Sequence, residues 1–302
     1  MRREPGTPVH LLGTRFGLSI GSYISGFLRL IFLSVVISIF IFIILKMIDL
    51  NFINNTINST PSWLKELGKL LLTSLWLLAI HWTLRLQGRD LMSVIAPGKR
   101  LHWAIWARSA LIYAVCFTPS IVRAALNGDA EIAMPSAVTL LFLPALLVGF
   151  ALQTATEEVF CRGYLAQGFQ VLFRNAVVAA LPVAIIFSLM HGWNGGERQV
   201  IYWSLSLFAS YLTWRFGRLE AAMGMHFAHN FLITLFMTGG EGLSALPEMM
   251  KPDNVATFPF AEMLSTALTG CSLFLLYWFL GIRTGFIEHG WRGKPAPQME
   301  SV

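Results

Sequence analysis

Charge is scarce in this sequence. Only 13% of the 302 residues are Asp, Glu, Lys or Arg, against roughly 25% in an ordinary soluble domain, which excludes a surface mainly in contact with water. Cysteine is scarce too. Cys116, Cys161 and Cys271 lie far apart with no CxxC spacing, which argues against a disulfide framework or a zinc-thiolate site. There is no HExxH, no internal repeat and no low-complexity tract. The net charge of +6 does not form a basic stripe. The basic residues sit mostly between apolar runs, which is the pattern of topology signals and not of nucleic-acid binding.

What is present is apolar sequence. Hydrophobic residues make up 55% of the chain and the mean hydropathy is +0.63. Leu28–Met47 alone is long enough to cross a hydrocarbon core of about 30 Å at about 1.5 Å per residue. The basic segment before it looks like a signal-peptide n-region. The run that follows is too long for an h-region and has no A-x-A ending, so a retained first helix with a cytoplasmic tail is expected.

The fold class predicted is all-α, a polytopic transmembrane helical bundle of about eight spans near 28–47, 67–84, 103–124, 137–155, 176–191, 200–214, 220–237 and 260–282. Pro119, Pro144 and Pro182 fall inside spans as candidate kinks. Basic residues favour one side by about three to one, which predicts both termini inside and a multi-pass protein of the cell (plasma) membrane. The expected organisation is a motif-free helical region at 1–136, a core at 137–237, and an outer loop, last helix and cytoplasmic tail at 238–302. Sequons at Asn54 and Asn58 fall in a predicted outer loop.

Ionisable groups within apolar helices are rare and often functional. Three clusters stand out. Glu157 and Glu158 precede Arg162. Glu158 and Arg162, at i,i+4, share a face and suit an ion pair, while Glu157 is turned about 100° away and is free to meet a cavity as a general base. Phe187 and His191 form a second i,i+4 pair. His226 and Asn230 form a third, with His229 close to the same face as an alternative site residue. Each has a plainer reading: a charged helix end, a satisfied interfacial histidine, an interhelical hydrogen bond. His81, Arg108, Arg123 and Glu262 belong to no motif and read as interfacial or interhelical.

The first two clusters meet at one depth only if the fourth helix continues through Val159–Phe173 and turns at Arg174-Asn175, and the depth of His226 is left open by this spacing. Glu157 lies 17 residues before Arg174 and His191 lies 16 after Asn175, so antiparallel helices would level them. Together the three clusters would offer a base and oxyanion donors from three helices.

In this order the motifs resemble those of the CAAX-protease and bacteriocin-processing (CPBP, or Abi) family of intramembrane proteases, over about 137–237. The resemblance implies a membrane-embedded endopeptidase acting on a membrane-associated, CAAX-type or unmodified, peptide or protein. Glu157 would activate water with His191 helping, His226 and Asn230 would stabilise the oxyanion, and Glu158, Arg162 and Phe187 would support them. No cofactor is expected; zinc on Glu157, His191 and His226 is the less favoured alternative. Membrane lipids and the substrate are the expected partners, and nucleic acid is not. The competing functions are a non-catalytic immunity or scaffold protein, or a transporter or proton relay.

Overall fold

A backbone surrounded by lipid must satisfy its own hydrogen bonds, and a helix does so within one segment. Every regular element among the described residues is helical. A computed structural model describes residues 18–47, 62–97, 100–126, 137–192, 196–237 and 260–288. The basic N-terminal tail, both sequons, the 238–258 loop and the end of the C-terminal tail lie outside the described residues.

In chain order the helices are α1 (Ile20–Met47), α2 (Ser62–Ser74), α3 (Trp76–Leu86), α4 (Leu91–Ile95), α5 (Trp103–Leu126), α6 (Ala137–Leu141), α7 (Leu143–Phe160), α8 (Ala166–Phe173), α9 (Ala176–Met190), α10 (Gly196–Phe216), α11 (Glu220–Leu232) and α12 (Phe260–Tyr277). Wider π-helical turns follow α7 (Cys161–Leu165), α11 (Ile233–Met237) and α12 (Trp278–Arg283). Among the described residues four stretches are long and apolar enough to cross a membrane: Ile20–Ile41, Leu67–Leu86, Trp103–Arg123 and Phe260–Arg283. On α1 the outward residues are themselves apolar, with Leu28, Phe32 and Phe40 all more than 60% exposed. Such a surface suits lipid and not water.

The helices that carry the three clusters are shorter or more polar. α7, its π turn and α8 run without interruption from 143 to 173, roughly 46 Å at 1.5 Å per residue. The longer fourth helix is therefore present. It ends at Arg174, which takes the left-handed conformation (φ 55°). Asn175 then caps α9 by accepting from the amides of Val177 (2.9 Å) and Val178 (3.1 Å). Pro144 differs from expectation. The chain breaks at Phe142 and Pro144 sits in the first turn of α7, where a missing N–H leaves no bond unmade. Pro119 and Pro182 do lie inside helices.

α11 is the central strut. A Cβ on Gly224 would fall 2.1 Å from the carbonyl oxygen of Trp106, so only glycine lets α11 lie directly on α5. The start of α11 is fastened by buried polar groups. Arg218 donates through Nε to Glu220 (2.8 Å) and through a terminal nitrogen to the carbonyl of Arg100 (2.8 Å), and Glu220 accepts from the His102 amide (3.2 Å). The apolar core around α7, α10 and α11 includes Val159, Cys161, Tyr164, Leu212, Leu219 and Met225.

Candidate active site

Successive residues on a helix diverge by about 100°, and on α7 that divergence separates the two glutamates. Glu158 is wholly buried in the core, whereas Glu157 borders a cavity. Arg162, in the π turn one helical step beyond, donates to Glu158 Oε1 (3.0 Å). Its other terminal nitrogen donates to the carbonyl oxygen (2.9 Å) and Oγ (2.8 Å) of Ser206 on α10. The guanidinium also lies 5.0 Å above the Phe187 ring on α9. One side chain thus ties three helices to the base of the site.

His226 on α11 reaches the same carboxylate: its Nδ1 is 2.8 Å from Glu158 Oε1. A carboxylate only accepts, so Nδ1 carries the proton. The opposite ring nitrogen, Nε2, then faces Glu157 Oε2 at 3.6 Å, a gap too long for a direct hydrogen bond. Glu157 Oε1 accepts from Gln153, one turn earlier on α7. Gln153 Oε1 in turn accepts from Asn230 Nδ2 (3.1 Å). Among the described residues Glu157 Oε2 has no hydrogen-bond partner. Glu158 Oε2 is also bare, but Glu158 does not border the cavity.

His191 closes α9. Its Nδ1 is 2.8 Å from the Phe187 carbonyl, which can only accept, so in the neutral ring Nε2 keeps its lone pair. The imidazole is flanked by Phe187 (centroids 4.6 Å) and by Tyr202 of α10, stacked at 4.5 Å and 25°. Gln199 braces the following turn by donating to the Gly192 carbonyl (2.8 Å). Phe187 also meets the His226 ring edge-on at 5.7 Å.

These groups share a cavity of about 680 Å³, bordered by Glu157, His191, His226 and Asn230 together. Its other walls are largely apolar and come from α1, the α2–α3 region, α10 and the turn after α11, with the cations Lys69 and Arg198 also on its boundary. His229 touches the cavity too, but its Nδ1 pairs with Tyr113 on α5 at 2.8 Å and its ring packs on Phe117. His226 is the histidine that faces the carboxylates. Sequence spacing missed Gln153, Ser206 and Tyr202. Gln153 stands at i−4 from Glu157 and carried a readable signal; the two α10 residues carried none.

Among the described residues no group of three His, Cys, Asp or Glu side chains is arranged to hold a metal ion. Glu157, His191 and His226 all border the cavity but do not form such a group.

Residues 138–232 match the family described as type II CAAX prenyl endopeptidase Rce1-like. That stretch contains Glu157, His191, His226 and Asn230 together with Gln153, Glu158, Arg162 and Phe187. An uncharacterized protein of Bacillus subtilis (strain 168), YyaK, is 26% identical over 172 residues, covering 53% of this chain and 56% of the relative. The match therefore spans little more than half of that relative's length. No solved structure matches the chain. With long apolar helices around it, residues 138–232 form a domain of the Rce1-like type II CAAX prenyl endopeptidase family, a family of peptidases, in a multi-pass membrane protein.

Proposed function

We propose that the protein is an intramembrane endopeptidase in which Glu157 activates a water molecule, and that its substrate is a membrane-associated peptide or protein, prenylated or not. The observation that carries the reading is the bare Glu157 Oε2, buried, bordering the cavity and facing His226 Nε2 across 3.6 Å. A water bound there would give a proton to Oε2 while its oxygen adds to the scissile carbonyl. His191 Nε2 would help hold that water. The oxyanion would receive a hydrogen bond from the second N–H of Asn230, and from His226 Nε2 when that ring carries both protons. Glu157 would then return the proton to the leaving amine, so that one water is consumed and one peptide bond is cut. No step is assigned to a metal.

The bundle is proposed to cross the membrane about eight times with both termini inside. The four helical passes beyond the long apolar ones would be those that bear the site, made less apolar by its polar side chains. Glu157 lies 14 residues into the long α7–α8 rod, roughly 21 Å along it and so near mid-membrane depth.

The test is mass spectrometry of peptides, with and without a prenylated cysteine, incubated with purified wild-type protein or Glu157→Gln, with and without chelator. Products made only by wild type, chelator or not, are expected. Identical patterns from the two proteins would leave an immunity or scaffold role as the better reading. Products lost with chelator would return zinc to the mechanism.

A further inference from the structure

We infer that Gln153 is a positioning residue that fixes both the catalytic carboxylate and the oxyanion amide, an inference that rests on the peptidase reading above. Gln153 is a carboxamide on a helix face otherwise committed to the cavity wall, 6% exposed, and it belongs to none of the i,i+4 pairs recognised in the sequence. Its two ends are both used. Nε2 donates to Glu157 Oε1, and Oε1 accepts from Asn230 Nδ2 at 3.1 Å.

The direction of this chain is dictated by its last member. An ionised carboxylate has no proton to give, so Gln153 must turn its NH2 toward Glu157. Its oxygen then faces Asn230, which must answer with its own NH2. A single amide therefore sets the orientation of a second amide on a different helix. The consequence for Glu157 is equally definite. With Oε1 occupied, Oε2 is the oxygen presented to His226 Nε2 and the cavity. Oε1 can still accept from Gln153 after Oε2 has taken a proton, so the carboxyl group keeps its place through the whole proton cycle.

The consequence for Asn230 is that one of its two N–H bonds is spent on Gln153, leaving the other for the substrate oxyanion. Gln153 does not itself meet the reacting atoms. It acts through Glu157 and Asn230, so its loss should slow the chemical step more than it weakens binding. Two residues steered by one partner also should not behave independently when that partner is removed.

The experiment is steady-state kinetics of wild type, Glu157→Ala, Gln153→Leu, Gln153→Asn, Asn230→Ala and the Gln153→Leu/Asn230→Ala double variant. All are purified full-length protein, assayed on an internally quenched farnesylated CAAX peptide with thermal unfolding measured alongside. Loss of a partner that orients catalytic groups lowers rates by about 10- to 100-fold. Gln153→Leu is expected to lower kcat by that factor with KM within about twofold. Gln153→Asn, which keeps the amide one methylene short, is expected to fall between Leu and wild type. The double variant should be slower than either single variant yet fall clearly short of the product of the two losses, because with Asn230 gone the loss of Gln153 acts only through Glu157. Unchanged kcat in Gln153→Leu, or a double variant that shows the full product, would overturn the assignment. So would a lowered unfolding temperature with normal kcat, which would make Gln153 a packing residue. If wild type and Glu157→Ala hydrolyse the peptide alike, the peptidase reading itself fails and the role of Gln153 falls with it.

Discussion

Glu157 and Glu158 are neighbours in sequence and opposites in surroundings. Glu158 is sealed with Arg162 and His226 around one oxygen, so its charge is compensated and unavailable. Glu157 has one oxygen steadied by Gln153 and one left bare on the cavity. Glu157→Gln is accordingly expected to keep the wild-type unfolding temperature and lose hydrolysis, read by scanning fluorimetry and product analysis on the same preparation. Arg162→Ala should behave differently. Stranding one member of a buried ion pair is destabilising by about 3–5 kcal/mol, and here the loss also frees Ser206 and Phe187 from their shared partner. A marked drop in the unfolding midpoint is expected; an unchanged midpoint would show that the pair does not hold the bundle. The division between the glutamates was legible from the i,i+4 spacing alone. The choice between His226 and His229 was not, because it is made by Tyr113, more than a hundred positions earlier, whose hydroxyl takes His229 Nδ1. No local pattern carries that information.

At the scale of elements, close helix contact depends on small residues, since helices in lipid gain little from burying apolar surface against one another. Gly224 marks the tightest crossing, with the Trp106 carbonyl where a Cβ would stand. Gly224→Ala is expected to push α11 off α5, lower the unfolding temperature in detergent and reduce activity, because α11 carries both His226 and Asn230. Gly68→Ala on α2 is the matched control: a Cβ there meets nothing within 4 Å among the described residues, and removing a helical glycine generally stabilises by about 0.4–1 kcal/mol. Equal effects of the two substitutions would contradict the close-packing account. The run of α7 and α8 to Phe173 was readable from the apolar sequence after Arg162 and from Arg174-Asn175 as a turn. The break at Phe142 was not, since Pro144 inside a hydrophobic run looks the same whether it kinks a helix or begins one.

For the molecule as a whole, the cavity borders Ile37, Ile41, Lys69, Trp76, His191 and Arg198. If the charge bias sets the orientation, that side faces outward. A cysteine at Lys69, with Cys271 removed, is then expected to react with a membrane-impermeant maleimide added to intact cells. One at Arg85, at the far end of α3, should react only after permeabilisation. The reverse pattern would invert the protein in its membrane. Composition made the membrane setting plain, and the ordered motifs pointed to the peptidase domain. The enclosing wall was not legible, because α1 and α2 contribute apolar residues that differ in no local way from those facing lipid. The most direct test of the central claim follows the oxygen of the attacking water. In a single turnover of a cleaved peptide in H2 18O, water activated by Glu157 predicts one 18O in the new C-terminal carboxylate and none in Glu157. Product carrying only 16O in that first turnover, with 18O appearing in the Glu157 side chain, would mean that Glu157 attacks the peptide itself and would contradict the account.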